Sequence, residues 1–275
     1  MGCVRRSERI VRLTRHLVDH PGTALSLTEM AEHYGVAKSS LSEDLAIIRS
    51  VFEQDGNGFL RTQLGANGGI LFEVDVSTTR EQEIMAEILA QLSDPQRILT
   101  GGYMFITDVL SQPQILRNVG KMFAKLFAKE EPDVILTVET KGIPLAVITS
   151  EYLNIPYVVA RRDHNWSEGP SVSTNYVSSF DRRIQSMSLS RRSIVQGARV
   201  LILDDFMKAG GTIKGMIALM EEFSATVVGT GVFMATAEPS EKFISSYRSL
   251  VTLAHMDEMS GSVVVEPGNY FTERM

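Results

Sequence analysis

The feature that most limits how this chain folds is an apolar run that ends in two adjacent acids and a turn of small residues. Residues 200–203 are apolar, Asp204 and Asp205 follow them, and the turn closes with Gly-Gly-Thr before a helical pattern. A short apolar run bounded by polar residues predicts a buried strand, so strand, loop and helix are expected in succession. A glycine loop at a helix N-terminus presents backbone N–H groups to an anion, which makes it a candidate phosphate cradle.

The two acids need a different part of a ligand, because carboxylates repel a phosphate. Vicinal ribose hydroxyls suit them, since each carboxylate oxygen accepts hydrogen bonds. We therefore predict a site for a ribose that carries a 5′-phosphate. Its predicted residues are Asp204, Asp205, Phe206, Met207, Lys208, Ala209, Gly210, Gly211 and Thr212.

This segment resembles the phosphoribosyl pyrophosphate (PRPP) motif of type I phosphoribosyltransferases. The resemblance implies a pyrophosphate loop at Thr140, Lys141 and Gly142, although a strand-to-helix turn with a surface lysine would also explain these residues. It also implies a flexible loop at 161–169. There Arg161 and Arg162 are candidate phosphate contacts, with a solvated charge cluster as the alternative.

Tyr103, in Gly-Gly-Tyr, is the candidate for the purine side of the pocket. A core tyrosine after a glycine turn is the alternative. Trp166 and Pro170 depart from the residues we expect in the flexible loop, which leaves its closure an open question.

The second part of the chain predicts an α/β fold with a mostly parallel sheet and helices on both faces, because strand and helix patterns alternate from about residue 97. The predicted strands are 133–139, 156–160, 173–179, 199–204 and 226–234, and the predicted helices are 111–129, 143–153 and 212–223. A connecting helix is expected at 77–92, within a linking segment 75–96.

The first part predicts a winged helix-turn-helix. A helix at 7–19 stops at Pro21-Gly22, a capping box at Ser26–Glu29 starts a second helix, and a third helix has apolar residues at helical spacing. Two short strand patterns then surround Asn67-Gly68, a strong hairpin turn signal. We predict a DNA-binding domain at 1–74 and an effector domain at 75–275.

In a helix-turn-helix the start of the second helix reaches base edges in the major groove, and flanking cations contact phosphates. A helical subdomain used for dimerisation is the alternative, and the wing favours DNA. The predicted DNA contacts are Lys38, Ser39, Ser40 and Ser42 at the helix start, with Arg5, Arg9 and Arg12 on the first helix.

The charge distribution supports contact with phosphates at one end only. Residues 1–20 carry five arginines and two acids, a net charge of +3, so the other 255 residues carry −9 of the total −6. One cysteine excludes a disulfide framework, and neither a signal peptide nor a membrane span is indicated, so we expect a cytoplasmic protein.

Together, head and body resemble bacterial purine-operon repressors whose effector domain has the phosphoribosyltransferase fold. The resemblance rests on the PRPP motif with Lys208, Ala37-Lys-Ser-Ser, Ser42-Glu-Asp, Gly101-Gly-Tyr103, and the stretch from Glu168-Gly through Asn175-Tyr-Val-Ser178. It implies a homodimer that binds operator DNA upstream of purine-synthesis genes and is released by PRPP, alone or with Mg²⁺. It also implies that the transferase reaction is lost, so neither catalytic residues nor a protein metal site are expected.

Three further possibilities are open from sequence alone. Guanosine tetraphosphate carries two diphosphates and is a hypothetical competitor of PRPP in the same cradle. The main rival function is a working purine phosphoribosyltransferase with a DNA-binding head, because binding and turnover use the same groups. An RNA-binding attenuator on the same fold is a third reading, which would need no wing.

Overall fold

The computed structural model describes residues 4–65, 68–101, 103–162, 169–177 and 183–271. Its contacts form two compact units. The first comprises Met1–Arg80 with Glu151–Asn154, and the second comprises Glu81–Ser150 with Ile155–Met275. Within the described residues, no helix is both long and apolar enough to cross a membrane.

The first unit is a winged helix. Its elements are α1 (Arg6–Asp19), α2 (Leu27–Tyr34), α3 (Lys38–Asp55), β1 (Gly58–Gln63) and β2 (Gly69–Val74). β1 and β2 pair antiparallel, and an isolated bridge from Leu25 to Ile70 widens the small sheet. Ser26 caps α2 by accepting from the N–H of Glu29, as its sequence predicted. Ala66 and Asn67, in the predicted wing turn, lie outside the described residues.

The core of this unit forms from the predicted apolar positions. Leu13 and Leu17 of α1 pack with Leu41, Leu45 and Ile48 of α3, all of them buried. Helical spacing of three or four residues puts such side chains on one face, and burying that face holds the three helices together.

The second unit contains the remaining elements. They are α4 (Thr78–Leu92, which starts in the first unit), β3 (Ile98–Leu99), β4 (Tyr103–Met104), α5 (Thr107–Leu110), α6 (Pro113–Phe127), β5 (Val134–Val138), α7 (Ile143–Leu153, which ends in the first unit), β6 (Tyr157–Ala160), β7 (Ser171–Val177), β8 (Ile184–Ser190), β9 (Arg199–Met207), α8 (Gly211–Glu222), β10 (Thr226–Thr236), β11 (Arg248–Asp257) and β12 (Ser262–Pro267).

Its main sheet has six strands in the order β12-β11-β10-β9-β5-β6. All neighbours are parallel except β11 and β12, which are antiparallel. The α/β fold with a mostly parallel sheet is therefore confirmed. β5 is buried along its whole length and β9 over most of it, which explains why both were found as apolar runs.

The strand order creates a crevice between β5 and β9. The chain leaves β5 towards β6 on one side, and leaves β9 towards β10 on the other. Ligands of open α/β sheets bind at such a switch point, outside the carboxyl ends of the strands. The Asp204-Asp205 pair lies near the end of β9, and residues 139–142 follow β5, so both meet at this crevice.

Several elements were missed. β8, β11, β12 and the short β3–β4 hairpin were not predicted, and β9 continues to Met207 rather than ending at residue 204. The predicted strand 173–179 corresponds to β7, which begins at Ser171, and the last two predicted positions, 178 and 179, both lie outside the described residues.

Candidate functional site

A cavity of about 540 Å³ opens at the carboxyl ends of β5 and β9. It brings together eight residues that the sequence predicted for the ligand site. These are Tyr103, Thr140, Lys141, Arg162, Asp204, Asp205, Phe206 and Thr212. A cavity of this size matches those that hold small ligands.

The acid pair forms the floor of the site. Asp204 is only 4% exposed, and its Oδ1 accepts from the N–H of Asp205 at 2.9 Å. Burial, followed by the neighbouring charge of Asp205, raises the pKa of Asp204 well above its usual value. Burial also raises the pKa of Asp205, while Asp204 and Lys141 act to lower it. Two carboxylates held in this way have acceptor oxygens available to donors from a ligand.

The phosphate loop, residues 208–210, joins β9 to α8. Gly210 caps α8 with φ of 86°, a left-handed conformation that a residue with a Cβ adopts only with strain. Met207 and Ala209 are buried and Lys208 is exposed, and neither these residues nor Gly210 and Gly211 line the cavity. Their contribution to a phosphate is therefore expected from the backbone, while Thr212 supplies a hydroxyl at the cavity wall.

The loop after β5 approaches the acid pair closely. A Cβ on Gly142 would lie 3.0 Å from Oδ1 of Asp204 and closer still to Oγ1 of Thr137. Glycine is therefore needed for this approach, although Gly142 itself does not line the cavity. The Thr137 hydroxyl is buried and has no hydrogen-bond partner in the described part of the chain. Buried polar groups are normally paired, so this hydroxyl beside the acid pair is an exception.

The two arginines after β6 behave differently from each other. Arg162 lines the cavity, and its backbone N–H donates to Oε1 of Glu139 at 2.7 Å. Arg161 is held by backbone pairing with Ser188, and its side chain lies 3.9 Å from Glu139 rather than in the cavity wall. Residues 163–168 of the predicted flexible loop lie outside the described residues.

Five lining residues were not predicted. They are Met104, Ile106, Val138, Glu139 and Gln185. Gln185 belongs to β8 and its Oε1 accepts from the Tyr176 hydroxyl at 2.7 Å, so missing β8 meant missing this contact. Glu139 immediately precedes the predicted pyrophosphate loop. Its position next to Thr140 is the sequence feature that could have placed it in the cavity wall.

In the first unit, the predicted helix start is exposed. Lys38, Ser39 and Ser42 are exposed in the first turns of α3, and Ser40 is half-buried. The Ser42 hydroxyl donates to the Lys38 carbonyl at 3.1 Å, so it is an acceptor for any partner. These positions suit contact with a nucleic acid groove.

The predicted arginine stripe needs a correction at Arg9. Arg9 is buried, and its Nε donates to the fully buried carboxylate of Asp44 at 2.5 Å. This guanidinium stabilises the pairing of α1 with α3, so we no longer count it among candidate DNA contacts. Arg5 is exposed, and Arg12 is about half-exposed with a 2.6 Å ion pair to Glu8.

The described residues contain no cluster of three or more histidines, cysteines or acids that could hold a metal ion.

Comparisons with known families agree with this architecture. Residues 5–73 match the family "Bacterial purine repressor, N-terminal", and residues 106–264 match the "Phosphoribosyl transferase domain". In the second unit, a solved adenine phosphoribosyltransferase from Rhodothermus marinus DSM 4252 has a similar fold. It gives a TM-score of 0.51 at 22% identity and covers 61% of this chain and 99% of its own.

Two curated relatives extend over nearly the whole chain. The purine biosynthesis transcriptional repressor PurR of Bacillus subtilis (strain 168) is 47% identical over 97% of this chain and 93% of its own. The purine biosynthesis transcriptional activator PurR of Lactococcus lactis subsp. lactis (strain IL1403) is 40% identical over 98% of this chain and 100% of its own. This chain therefore belongs to the bacterial purine repressor family of purine biosynthesis regulators, which joins a repressor N-terminal domain to a phosphoribosyltransferase domain.

Proposed function

We propose that this protein represses purine biosynthesis genes, and that PRPP bound in the cavity lowers its affinity for operator DNA without being consumed. One observation carries the proposal: the acid pair, the cations Lys141 and Arg162, and Thr212 just after the phosphate loop line one cavity at the crevice between β5 and β9. The names of the relatives support a role in regulating purine biosynthesis genes.

The cavity offers a partner for each part of PRPP. The ribose hydroxyls donate to Asp204 and Asp205, and the 5′-phosphate accepts from backbone N–H groups of the phosphate loop and from Thr212. The diphosphate meets the cations of Lys141 and Arg162, which line the same cavity. If PRPP binds as its Mg²⁺ complex, the diphosphate oxygens of PRPP would supply ligands to the ion, because Mg²⁺ prefers oxygen ligands.

Release of DNA by PRPP is a linkage between two sites. If PRPP binds the DNA-free protein better than the DNA-bound protein, DNA must lower the affinity for PRPP by the same factor. One physical route is competition between DNA phosphates and PRPP for cationic surface. Measuring the PRPP affinity with and without saturating operator DNA tests the reciprocity.

Guanosine tetraphosphate fits the same proposal as a competitor. Its two diphosphates suit the cradle that holds the phosphates of PRPP, and occupying it would block release of DNA. We expect a calorimetric titration to show that the two ligands exclude each other. Simultaneous binding would contradict a shared site.

The decisive experiment is a gel shift on the promoter of a purine-synthesis operon. We expect the full chain to bind as a homodimer and to release the DNA as PRPP is added, and light scattering on the same sample reports the dimer. If the protein retains the DNA equally well with and without saturating PRPP, PRPP is not its effector. We also expect transcription in vitro from the bound promoter to fall. That result would distinguish repression from activation, the role for which the Lactococcus lactis relative is named.

The rival function is a working phosphoribosyltransferase. The match of residues 106–264 to the phosphoribosyl transferase domain is compatible with it. Incubation with PRPP, Mg²⁺ and each purine base separates the two. We expect no nucleotide to form, and measurable turnover would favour the enzyme. Binding of duplex operator in the gel shift likewise argues against an RNA-binding attenuator.

A further inference from the structure

Lys242 lies behind the phosphate loop and is not part of the cavity lining. Its ammonium donates to the Lys208 carbonyl at 2.7 Å, to the Thr236 carbonyl at 2.8 Å and to Oγ1 of Thr236 at 3.4 Å. The three donors of a lysine are thus directed at oxygens from the end of β10 and from the phosphate loop. Lys242 therefore joins the carboxyl end of β10 to the loop that follows β9.

The neighbours of Lys242 hold the next part of the loop. The backbone N–H of Phe243 donates to the Ala209 carbonyl at 2.8 Å. The Ile244 side chain comes within 3.4 Å of the point where a Cβ on Gly210 would lie. Residues 242–244, which we call the brace, thus contact three consecutive residues of the phosphate loop.

These contacts fix the direction of the loop amides. In a trans peptide the C=O and the following N–H point in opposite directions. When the brace holds the carbonyls of Lys208 and Ala209 on its own side, the N–H groups of Ala209 and Gly210 must point away from it. Among the described residues, neither of these two N–H groups donates a hydrogen bond. Orientation with free donors is what an anion cradle requires.

We propose that Lys242 is a positioning residue for phosphate recognition. It holds the Lys208 carbonyl directly, and by fixing the brace it supports the Phe243 N–H that holds the Ala209 carbonyl, so that the Ala209 and Gly210 amides face the opposite side of the loop. The inference rests on the proposed function, since it assigns the phosphate half of the ligand to these two amides. Lys242 touches no part of the ligand. It acts through the peptide planes of the loop.

The test is calorimetric titration of the full chain with PRPP and Mg²⁺, comparing the natural protein with Lys242→Met. Methionine keeps the length of the side chain and removes its three donors. We expect the affinity for PRPP to fall about tenfold, the effect of weakening one charge-assisted hydrogen bond. Lys242→Arg, which retains a cation with several donors, is expected to recover most of that loss.

The matched control is Lys129→Met, which makes the same change at an exposed lysine that precedes the amino end of β5, whereas the phosphate loop follows the carboxyl end of β9. It is expected to bind PRPP as the natural protein does. Operator affinity without PRPP is expected to be unchanged in all variants, which separates a local effect on the loop from general damage to the fold.

A spectroscopic readout covers the amides directly. With ¹⁵N-glycine labelling, the Gly210 signal is expected to shift on adding inorganic phosphate to the natural protein and to shift much less in Lys242→Met. If the natural protein binds PRPP and Lys242→Met binds it equally well, the positioning role is wrong while the proposed function stands. If the natural protein does not bind PRPP, the proposed function fails and this inference fails with it.

Discussion

Each of the two units buries an aspartate, and the two aspartates differ in the charge of their neighbours. Asp44 in α3 is fully buried and is paired with Nε of Arg9 at 2.5 Å and Nε of Arg6 at 3.0 Å. Asp204 in β9 is 4% exposed, and its Oδ1 accepts from the N–H of Asp205. Burial raises the pKa of Asp204, and the neighbouring carboxylate of Asp205 raises it further.

The difference separates a structural group from a binding group. A buried charge is costly unless it is paired, and a pair supplied from within the chain leaves nothing for a ligand. Asp44 is satisfied in this way, so its role is to hold α3 against α1. Asp204 keeps its acceptors for a partner from outside, at the crevice where the topology places a ligand.

The largest effect is expected from breaking the buried ion pair between Asp44 and Arg9. Asp44→Ala leaves the Arg9 guanidinium buried without a counter-charge, which typically costs about 3 kcal/mol or more. We expect the amides of α3 to exchange faster with solvent in the full chain, measured by hydrogen exchange, and operator binding to be lost. PRPP affinity is expected to be unchanged.

Glu43→Ala is the control for that change. Glu43 is the next residue on the same helix, but its pair with Arg6 is at the surface, with the Glu43 side chain 70% exposed. Surface pairs contribute about 0–1 kcal/mol, so protection of α3 is expected to change little. Equal loss of protection in both variants would mean that burial of Asp44 is not what matters.

The next effect concerns the acid pair. Asp205→Ala removes the acceptors proposed for a ribose hydroxyl, and we expect PRPP affinity to fall about a hundredfold. In gel shifts the variant is expected to bind the operator normally and to keep it at PRPP concentrations that release the natural protein. Asp204→Ala is expected to behave alike.

Glu222→Ala, at the other end of α8, removes an exposed acid and serves as the charge control. It is expected to respond to PRPP as the natural protein does. A normal PRPP response in Asp205→Ala would contradict the ribose assignment, and loss of DNA binding in that variant would point to damage of the fold instead.

The same contrast explains what sequence could and could not predict. Asp204 and Asp205 were found because an apolar strand, two acids and a glycine turn are contiguous, so the local pattern contains the whole site element. Arg9 was misassigned because an arginine on a helix next to an apolar stripe is ordinarily solvated. Its partner Asp44 is 35 residues away, and only the packing of α1 on α3 brings the two together.

The same limit applied to the cavity. Gln185 belongs to a strand that pairs antiparallel with β7, and its mixed polar sequence lacks the apolar run that identified β5 and β9. The brace was also missed, since Lys242 follows a turn in a polar stretch and its function depends on carbonyls 6 and 34 residues away. Local pattern predicted β5, β6, β9 and β10, whereas it missed β11 and β12, and contacts between residues distant in sequence complete the site.

A smaller effect tests the buried carboxyl group of Asp204, which has no cation partner like that of Asp44 among the described ion pairs, through stability. Because the folded pKa of Asp204 is raised, the unfolded chain ionises first as pH rises, and stability present at acidic pH is lost as pH rises through the folded pKa. Asp204→Asn removes this loss and keeps an oxygen that accepts from the Asp205 N–H. We expect its Tm at pH 7 to exceed that of the natural protein by about 3 °C, the shift that ~1 kcal/mol produces in a chain of this size.

The pH dependence is the control for that prediction. Below its raised folded pKa the natural Asp204 is itself protonated, so the difference in Tm is expected to shrink as the pH falls. A lower Tm for Asp204→Asn at pH 7 would show that Asp204 is paired in the folded state, and the contrast with Asp44 would not hold.

The smallest expected effect lies in the first unit. Lys38 is exposed at the first turn of α3. Lys38→Ala is expected to weaken operator binding about fivefold with unchanged PRPP affinity, because one contact to a phosphate or a guanine is removed.

Titrations at several salt concentrations distinguish a phosphate contact from a guanine contact. A phosphate contact lowers the salt slope by about 1 and weakens unrelated DNA equally, whereas a base contact weakens the operator more than unrelated DNA. Arg15→Ala, which removes a cation 82% exposed on α1, is expected to leave the preference for the operator unchanged. Equal loss in both variants would mean that Lys38 contributes through net charge alone and that α3 does not present it to a groove.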